Sequence, residues 1–249
     1  MKHGILLRIY DILSGILILL IAAIPLLLLI IIKLIADGRP LFFNSKRIGK
    51  DRASITVYKF RTMVRNRQFI ENYLMQIHSY GFEKIPLDAA VYTKMGRFLE
   101  RFQIVELLQI INVLKGNMSI IGYRPLPLSH VLQLEEELGT EQIALRHSVL
   151  PGITGMSQIM GKTSLTNAER VEVENSYNRF IQTRSQPKII IYNTLIIIET
   201  FLQIISKKVP LINFLKKKIL HHTPLNSEIQ KDSNYILLKE KSEVLLLDK

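Results

Sequence analysis

The chain has 249 residues, 48% of them hydrophobic and 22% charged, with a mean hydropathy of +0.19. That is room for one ordinary domain with extensions, provided the apolar excess is gathered into a few segments. The absence of cysteine excludes disulfides and thiolate metal centres, while the net charge of +12 suits phosphate-bearing partners such as anionic head groups or nucleotides.

The run Ser14 to Ile32 carries no charge between Asp11 and Lys33. A core of roughly 18 apolar residues suffices to cross ~30 Å of hydrocarbon as a helix. Ala22-Ala23 is followed by Pro25 and more large apolar residues, so the run lacks the cleavage site of a secretory signal. Pro25 removes one helical hydrogen bond and predicts a kink. Lys2 and Arg8 precede the run; Lys33, Arg39, Lys46 and Arg47 follow it. Basic flanks on both sides fit equally a plain span and a helix that enters one leaflet, bends at Pro25 and returns to the same face.

Asp37-Gly38-Arg39-Pro40 reads as a turn, and Leu41-Phe42-Phe43 as an interfacial segment. Ile55 to Met63 is predicted as a short strand and Val64 to Tyr80 as a helix closed by Gly81. Gly96 to Leu114 is predicted as one helix, capped by Lys115-Gly116-Asn117. Ser129 to Arg146 reads as an amphipathic acidic helix, Pro151 to Gly161 as a Gly-rich loop and Ala168 to Arg184 as a polar helix. Ile189 to Ile205 is an apolar helix with a polar stripe of Asn193, Glu199, Thr200 and Gln203; it suits packing on the body or lying in the interface better than spanning. Lys207 to His222 is basic with interleaved apolar residues. It reads as a second membrane contact, each Lys near an anionic surface contributing about 1 kcal/mol, or equally as a solvated basic helix. Residues 223–249 read as a tail.

Lys59 and Arg61 stand two apart on the strand candidate, which puts them on one face about 6.6 Å apart. That separation suits two phosphates, although two such cations are more often merely solvated. Glu106, Gln109 and Asn112, three apart, share a side of the predicted helix. The six histidines, the His221-His222 pair included, lack metal-ligand spacing. There is no P-loop, no Ser–His–Asp arrangement and no DNA-binding motif, so nucleic acid is set aside as a partner.

Four ordered segments then carry a resemblance: DGRPLFFNSKRIG (37–49), YKFRTM (58–63), GRFLERFQIVELLQIINVLKGNMSIIGYRP (96–125) and PGITGMSQIMGK (151–162). Over about residues 5–205 the chain resembles the bacterial sugar transferases, the small monotopic phosphoglycosyl transferases. The resemblance implies an α+β, mostly helical monotopic membrane protein, with a proline-kinked re-entrant N-terminal helix and amphipathic interfacial helices. The implied division is a membrane-anchoring helix at 1–37, a cytoplasmic transferase domain at 38–206 and a basic extension and tail at 207–249. It further implies transfer of sugar-1-phosphate from a UDP-sugar to polyprenyl (undecaprenyl) phosphate on the cytoplasmic face of the bacterial inner membrane, initiating a surface glycan alongside other glycan-assembly enzymes. A carboxylate nucleophile, a neighbouring glutamate and Mg²⁺ serve this chemistry in the family. The phosphate ligands would be Lys59, Arg61 and Arg124, with Gln109, Asn112 and Gln158 in support.

The chain departs from that pattern at its centre. The nucleophilic aspartate position is Val105, which leaves Glu106 as the carboxylate and the weak candidate metal ligand. The family's arginine five residues earlier falls at Glu100, a reversed charge. Positions usually Asp are Asn117, Glu174 and Asn193, and the proline usually before Arg124 is Tyr123. Fewer acids weaken a Mg²⁺ site. Two expectations follow: a transferase that uses Glu106, and a catalytically impaired member acting as a substrate-binding or scaffold partner of an active paralogue.

Overall fold

A computed structural model describes residues 4–76, 85–161, 165–206 and 210–220. Lys2, His3, His78, Gly81, Lys162, residues 207–209, the His221-His222 pair and the tail to 249 lie outside the described residues. The protein is mostly helical with two small sheets.

α1 (Ile5–Asp37) is 33 residues long, with Pro25 inside a single assigned helix. At 1.5 Å per residue it extends about 50 Å if straight. Both of its ends are fastened to one body. Near the start, Arg8 donates to the carbonyls of Val113 (2.6 Å) and Leu114 (2.9 Å), supplying partners that a helix C-terminus lacks. The buried Asp11 accepts from the Ser119 hydroxyl (3.0 Å) and the Ile120 amide (3.1 Å). Further along, Leu26, Leu29 and Ile30 pack on Phe60, Leu99 and Val105. At the end, Lys33 pairs with Asp37 at 2.5 Å, and Asp37 accepts from the Thr93 hydroxyl at 2.9 Å. The remaining surface of α1, including Leu20, Ile21, Ile24, Leu27, Leu28 and Ile35, is exposed.

β1 (Phe42–Ile48) and β2 (Ser54–Phe60) form an antiparallel hairpin, with Phe42 opposite Phe60 and Ile48 opposite Ser54. β1 falls where an interfacial segment was expected, because FFNSKRI shows no two-residue alternation to mark it. β2 stops at Phe60, three residues short of the expected end. α2 (Arg67–Gln76) follows.

The single helix expected over Gly96 to Leu114 is broken into three pieces: α3 (Lys94–Arg101), a 3-10 turn at Ile104–Gln109 and α4 (Ile110–Leu114). The break is at Gln103, held at φ 56°. Tertiary packing explains it: Val105 is drawn into the cluster with Phe60 and Leu99, which a straight helix from 96 onward does not present. Gly96 lets α3 approach the segment just after β2, since a Cβ there would stand 1.8 Å from the Thr62 carbonyl oxygen.

β3 (Ser119–Ile121) pairs in parallel with β4 (Gly152–Thr154), and between them lie α5 (Leu128–Leu138) and α6 (Thr140–Arg146). One acidic helix was expected here; Gly139 at φ 87° divides it. The Gly-rich stretch Pro151–Gly161 is β4 and α7 (Met156–Ile159) rather than a loop. α8 (Asn167–Thr183) begins with a reciprocal Thr166–Glu169 capping box. α9 (Gln186–Ser206), like α1, is long and apolar enough to cross a membrane by length and composition. Its polar stripe turns inward. Asn193 accepts from the Tyr177 hydroxyl (2.7 Å), Glu199 from the Leu211 amide ahead of α10 (Ile212–Ile219), and Gln203 donates to the Ile159 carbonyl. Its outer residues Ile191, Ile198, Phe201 and Ile205 remain exposed.

Candidate functional site

Glu106 sits in the 3-10 turn, packed against β2, and its carboxylate meets the Arg124 guanidinium at 2.6 Å. Arg124 follows β3, and its loop is stitched to β1 because the Ile48 amide donates to the Leu126 carbonyl at 2.8 Å. That stitch sets Arg124 beside Arg47. Arg47 lies opposite Ile55 in the hairpin, and Phe43 opposite Lys59. Directly opposed residues share a face, as do residues two apart along a strand, so the register puts Arg47 and Lys59 on one side of the sheet. Glu100 on α3 accepts from the Thr62 hydroxyl at 3.1 Å.

The electrostatics match this geometry. Burial, then the charges of Arg124 and Arg47, push Lys59 down to about 8 against the opposing pull of Glu106 and Glu100. Burial and then Arg124 lower Arg47. Glu106 holds Arg124 above the usual guanidinium range. Three cations thus crowd one paired carboxylate.

A second ion pair lies beneath. Arg146 on α6 donates to Glu174 on α8 at 2.6 Å, with both side chains almost fully buried. It also donates to the Arg124 carbonyl at 2.6 Å, while Glu174 accepts from the Arg124 amide at 3.4 Å. Ser157 donates to Glu174 at 2.8 Å, and the Arg146 guanidinium covers the Tyr123 ring, 4.4 Å from its centre. The backbone of Arg124 is therefore gripped on both sides. Gly155 allows the close approach of α7, since a Cβ there would lie 2.2 Å from the Gly122 carbonyl oxygen. Arg170, buried on α8, feels the charges of Glu174, Arg124 and Arg146.

The sequence-derived candidates are placed unequally. Lys59, Glu106 and Arg124 come together. Arg61 does not join them: its guanidinium donates to the carbonyls of Pro40 (2.6 Å), Met63 (2.8 Å), Asp37 (3.0 Å) and Gly38 (3.1 Å), which fastens the end of α1. The one-face argument fails because β2 ends at Phe60. Asn112 is fully buried, donates to the Thr56 carbonyl at 2.6 Å and accepts from the Tyr58 amide, so it ties α4 to β2. Gln109 is buried. Gln158 lies beside Glu174, with its side-chain oxygen 2.9 Å from the Ser157 hydroxyl oxygen. Val105 is buried against apolar neighbours. Arg47 lay in a motif segment but was read only as a basic flank of the apolar run, Arg146 had no signal beyond its charge, and Glu174 stood out in the sequence only as a substituted acid.

For Mg²⁺ the fit is poor. Among the described residues no three His, Asp or Glu side chains gather as ligands. Glu106 is engaged by Arg124, and Asn193, at a position usually acidic, serves Tyr177.

The sequence profile described as bacterial sugar transferase matches residues 2–207. A sugar transferase of Bacillus subtilis, named EpsL and otherwise uncharacterized, is 35% identical over 173 residues, 70% of this chain and 77% of that protein. The UDP-glucose:undecaprenyl-phosphate glucose-1-phosphate transferase of Escherichia coli is 36% identical over 173 residues, 68% of this chain and 34% of the relative. The undecaprenyl-phosphate galactose phosphotransferase of Salmonella typhimurium is 33% identical over 176 residues, 68% of this chain and 36% of the relative. The chain thus spans about a third of the length of these last two.

Proposed function

The chain belongs to the bacterial sugar transferase family, and from that premise we propose that it transfers a sugar-1-phosphate from a UDP-sugar to undecaprenyl phosphate, starting a surface polysaccharide. The observation that carries this reading is the convergence of Arg47, Lys59 and Arg124 on Glu106, beside an apolar helix. Positive groups fixed in place stabilise charge that gathers on phosphoryl oxygens.

In this reading a Glu106 carboxylate oxygen attacks the phosphorus next to the sugar. The bond to the bridging oxygen breaks, and UMP leaves with the electron pair. An oxygen of undecaprenyl phosphate then attacks the same phosphorus, the bond to Glu106 breaks, and the carboxylate returns. Splitting one transfer into two displacements is the gain from a covalent intermediate. Arg124 starts paired with Glu106 and takes the incoming phosphate instead. Bound Mg²⁺ would supply Lewis-acid charge to the phosphates, but the residues present form a poor cage for it and no step here runs through it.

Attachment of both ends of α1 to one body supports a re-entrant, monotopic seat, since a helix crossing the bilayer carries one end away from the body; a cytoplasmic leaflet is the further part of the proposal. The exposed faces of α1 and α9 supply the apolar contact. The division at residues 37 and 206, and any association with other glycan-assembly enzymes, belong to the same proposal. The named relatives are transferases, which gives no support to a partner without turnover.

The test is UMP release by the purified chain with undecaprenyl phosphate and either UDP-glucose or UDP-galactose. Release is expected, and Glu106→Ala should cut it about 10³-fold or more. Equal release from Glu106→Ala would eliminate Glu106 as nucleophile. UDP binding without UMP release would favour the impaired, substrate-binding member anticipated from Val105.

A further inference from the structure

Among the described residues, three acids next to the cations of the site are engaged. Glu106 pairs with Arg124, Glu174 is buried between Arg146 and Ser157, and Glu100 accepts from Thr62. Val105 is apolar, and the usually acidic position 117 is an exposed Asn. Arg47, Lys59, Arg124, Arg146 and Arg170 face Glu100, Glu106 and Glu174, which leaves the group two positive charges out of balance. Such a surplus repels a divalent cation and attracts a doubly charged anion.

The displacement above counts Arg47 among the fixed cations but gives it no contact of its own. Its position is nonetheless built: the hairpin register turns it to the side of Lys59, and the Ile48–Leu126 hydrogen bond sets it against the Arg124 loop. A guanidinium fork matches two phosphate oxygens at once, which a lysine does not.

We propose that Arg47, with Lys59 and Arg124, holds the pyrophosphate of a nucleoside diphosphate directly, so that this chain binds its donor without a divalent cation. The proposal rests on the donor being a UDP-sugar. The protein-borne cations take over the charge neutralisation that a metal would provide, and the surplus on the site falls to zero when the pyrophosphate arrives.

The experiment is titration calorimetry of UDP into the full chain in lipid nanodiscs, once in EDTA and once in excess Mg²⁺. Affinities agreeing within about threefold are expected. Arg47→Gln should weaken binding in EDTA by about tenfold or more, and Arg47→Lys should fall between, since it keeps the charge and loses the fork. Circular dichroism and thermal unfolding establish that each variant is folded. Binding that needs Mg²⁺ while UMP release persists overturns this proposal and leaves the transfer reading standing. Tight UDP binding in EDTA without UMP release supports this proposal and removes the transfer reading. Wild-type affinity in folded Arg47→Gln removes Arg47 from the site, and no UDP binding under either condition overturns both.

Discussion

Arg124 joins two ion pairs of opposite character. Its guanidinium meets Glu106 with the two side chains 28% and 11% exposed, whereas its backbone is clamped by Arg146 and Glu174, whose side chains are 0% and 2% exposed. The inner pair is balanced, and its atoms are shared among Arg124, Ser157 and the Tyr123 ring. The outer pair stands among surplus cations and has water on one side. Desolvation makes the first a fixed framework, because a lone buried charge is costly. The second can exchange partners at little cost, as phosphate binding requires.

The largest effect should come from breaking the framework. Glu174→Ala strands the Arg146 charge and is expected to cost about 3–5 kcal/mol of stability, read as a fall in chemical-denaturation midpoint. Glu106→Ala in the same assay should cost less, because Arg124 keeps 28% of its side chain exposed and stays partly solvated when its partner is removed. Equal losses would erase the distinction.

Acidification probes the framework next. His147 lies edge-on to the Tyr123 ring. Burial, then the Arg146 charge, hold it down at about 4. The unfolded chain takes up this proton first, near 6.5, so His147 favours the folded state above that pH. The contribution is lost as pH falls from about 6.5 to 4, up to roughly 3 kcal/mol in all. His147→Gln should flatten that part of the stability–pH curve.

The outer pair is probed by ligand. Arg124→Ala should lower UDP affinity about 10- to 100-fold, the range for charge-assisted phosphate contacts, with little change in unfolding. The smallest effect is the Lys59 titration. With the free group at about 8, raising pH from 7 to 9 removes its charge and should weaken UDP binding roughly tenfold. Lys59→Gln should lose that dependence and bind weakly throughout.

The difference between the two regions also explains what the sequence could disclose. The apolar run around Pro25 announced α1, and the inward stripe of Asn193, Glu199 and Gln203 marked the buried side of α9. Glu106, Lys59 and Arg124 were legible through their motifs. The break at Gln103 was not, because neither Gly nor Pro signals it and the pull on Val105 comes from Phe60 and Leu99, distant in the chain. Arg61 misled because two-residue spacing carries no sign of where a strand stops. Arg146 was invisible, and Arg47 was seen only as a flanking charge, because a cation's role depends on what folding sets across from it.

The most direct measurement follows the phosphorus atom. UDP-glucose or UDP-galactose radiolabelled in the phosphate next to the sugar is incubated with the chain and undecaprenyl phosphate, and the lipid is extracted. Transfer of sugar-1-phosphate predicts label in the lipid fraction with an equal amount of UMP in the water. Sugar in the lipid with the label retained in aqueous UDP would mean that the sugar–oxygen bond had broken instead, and would contradict the account.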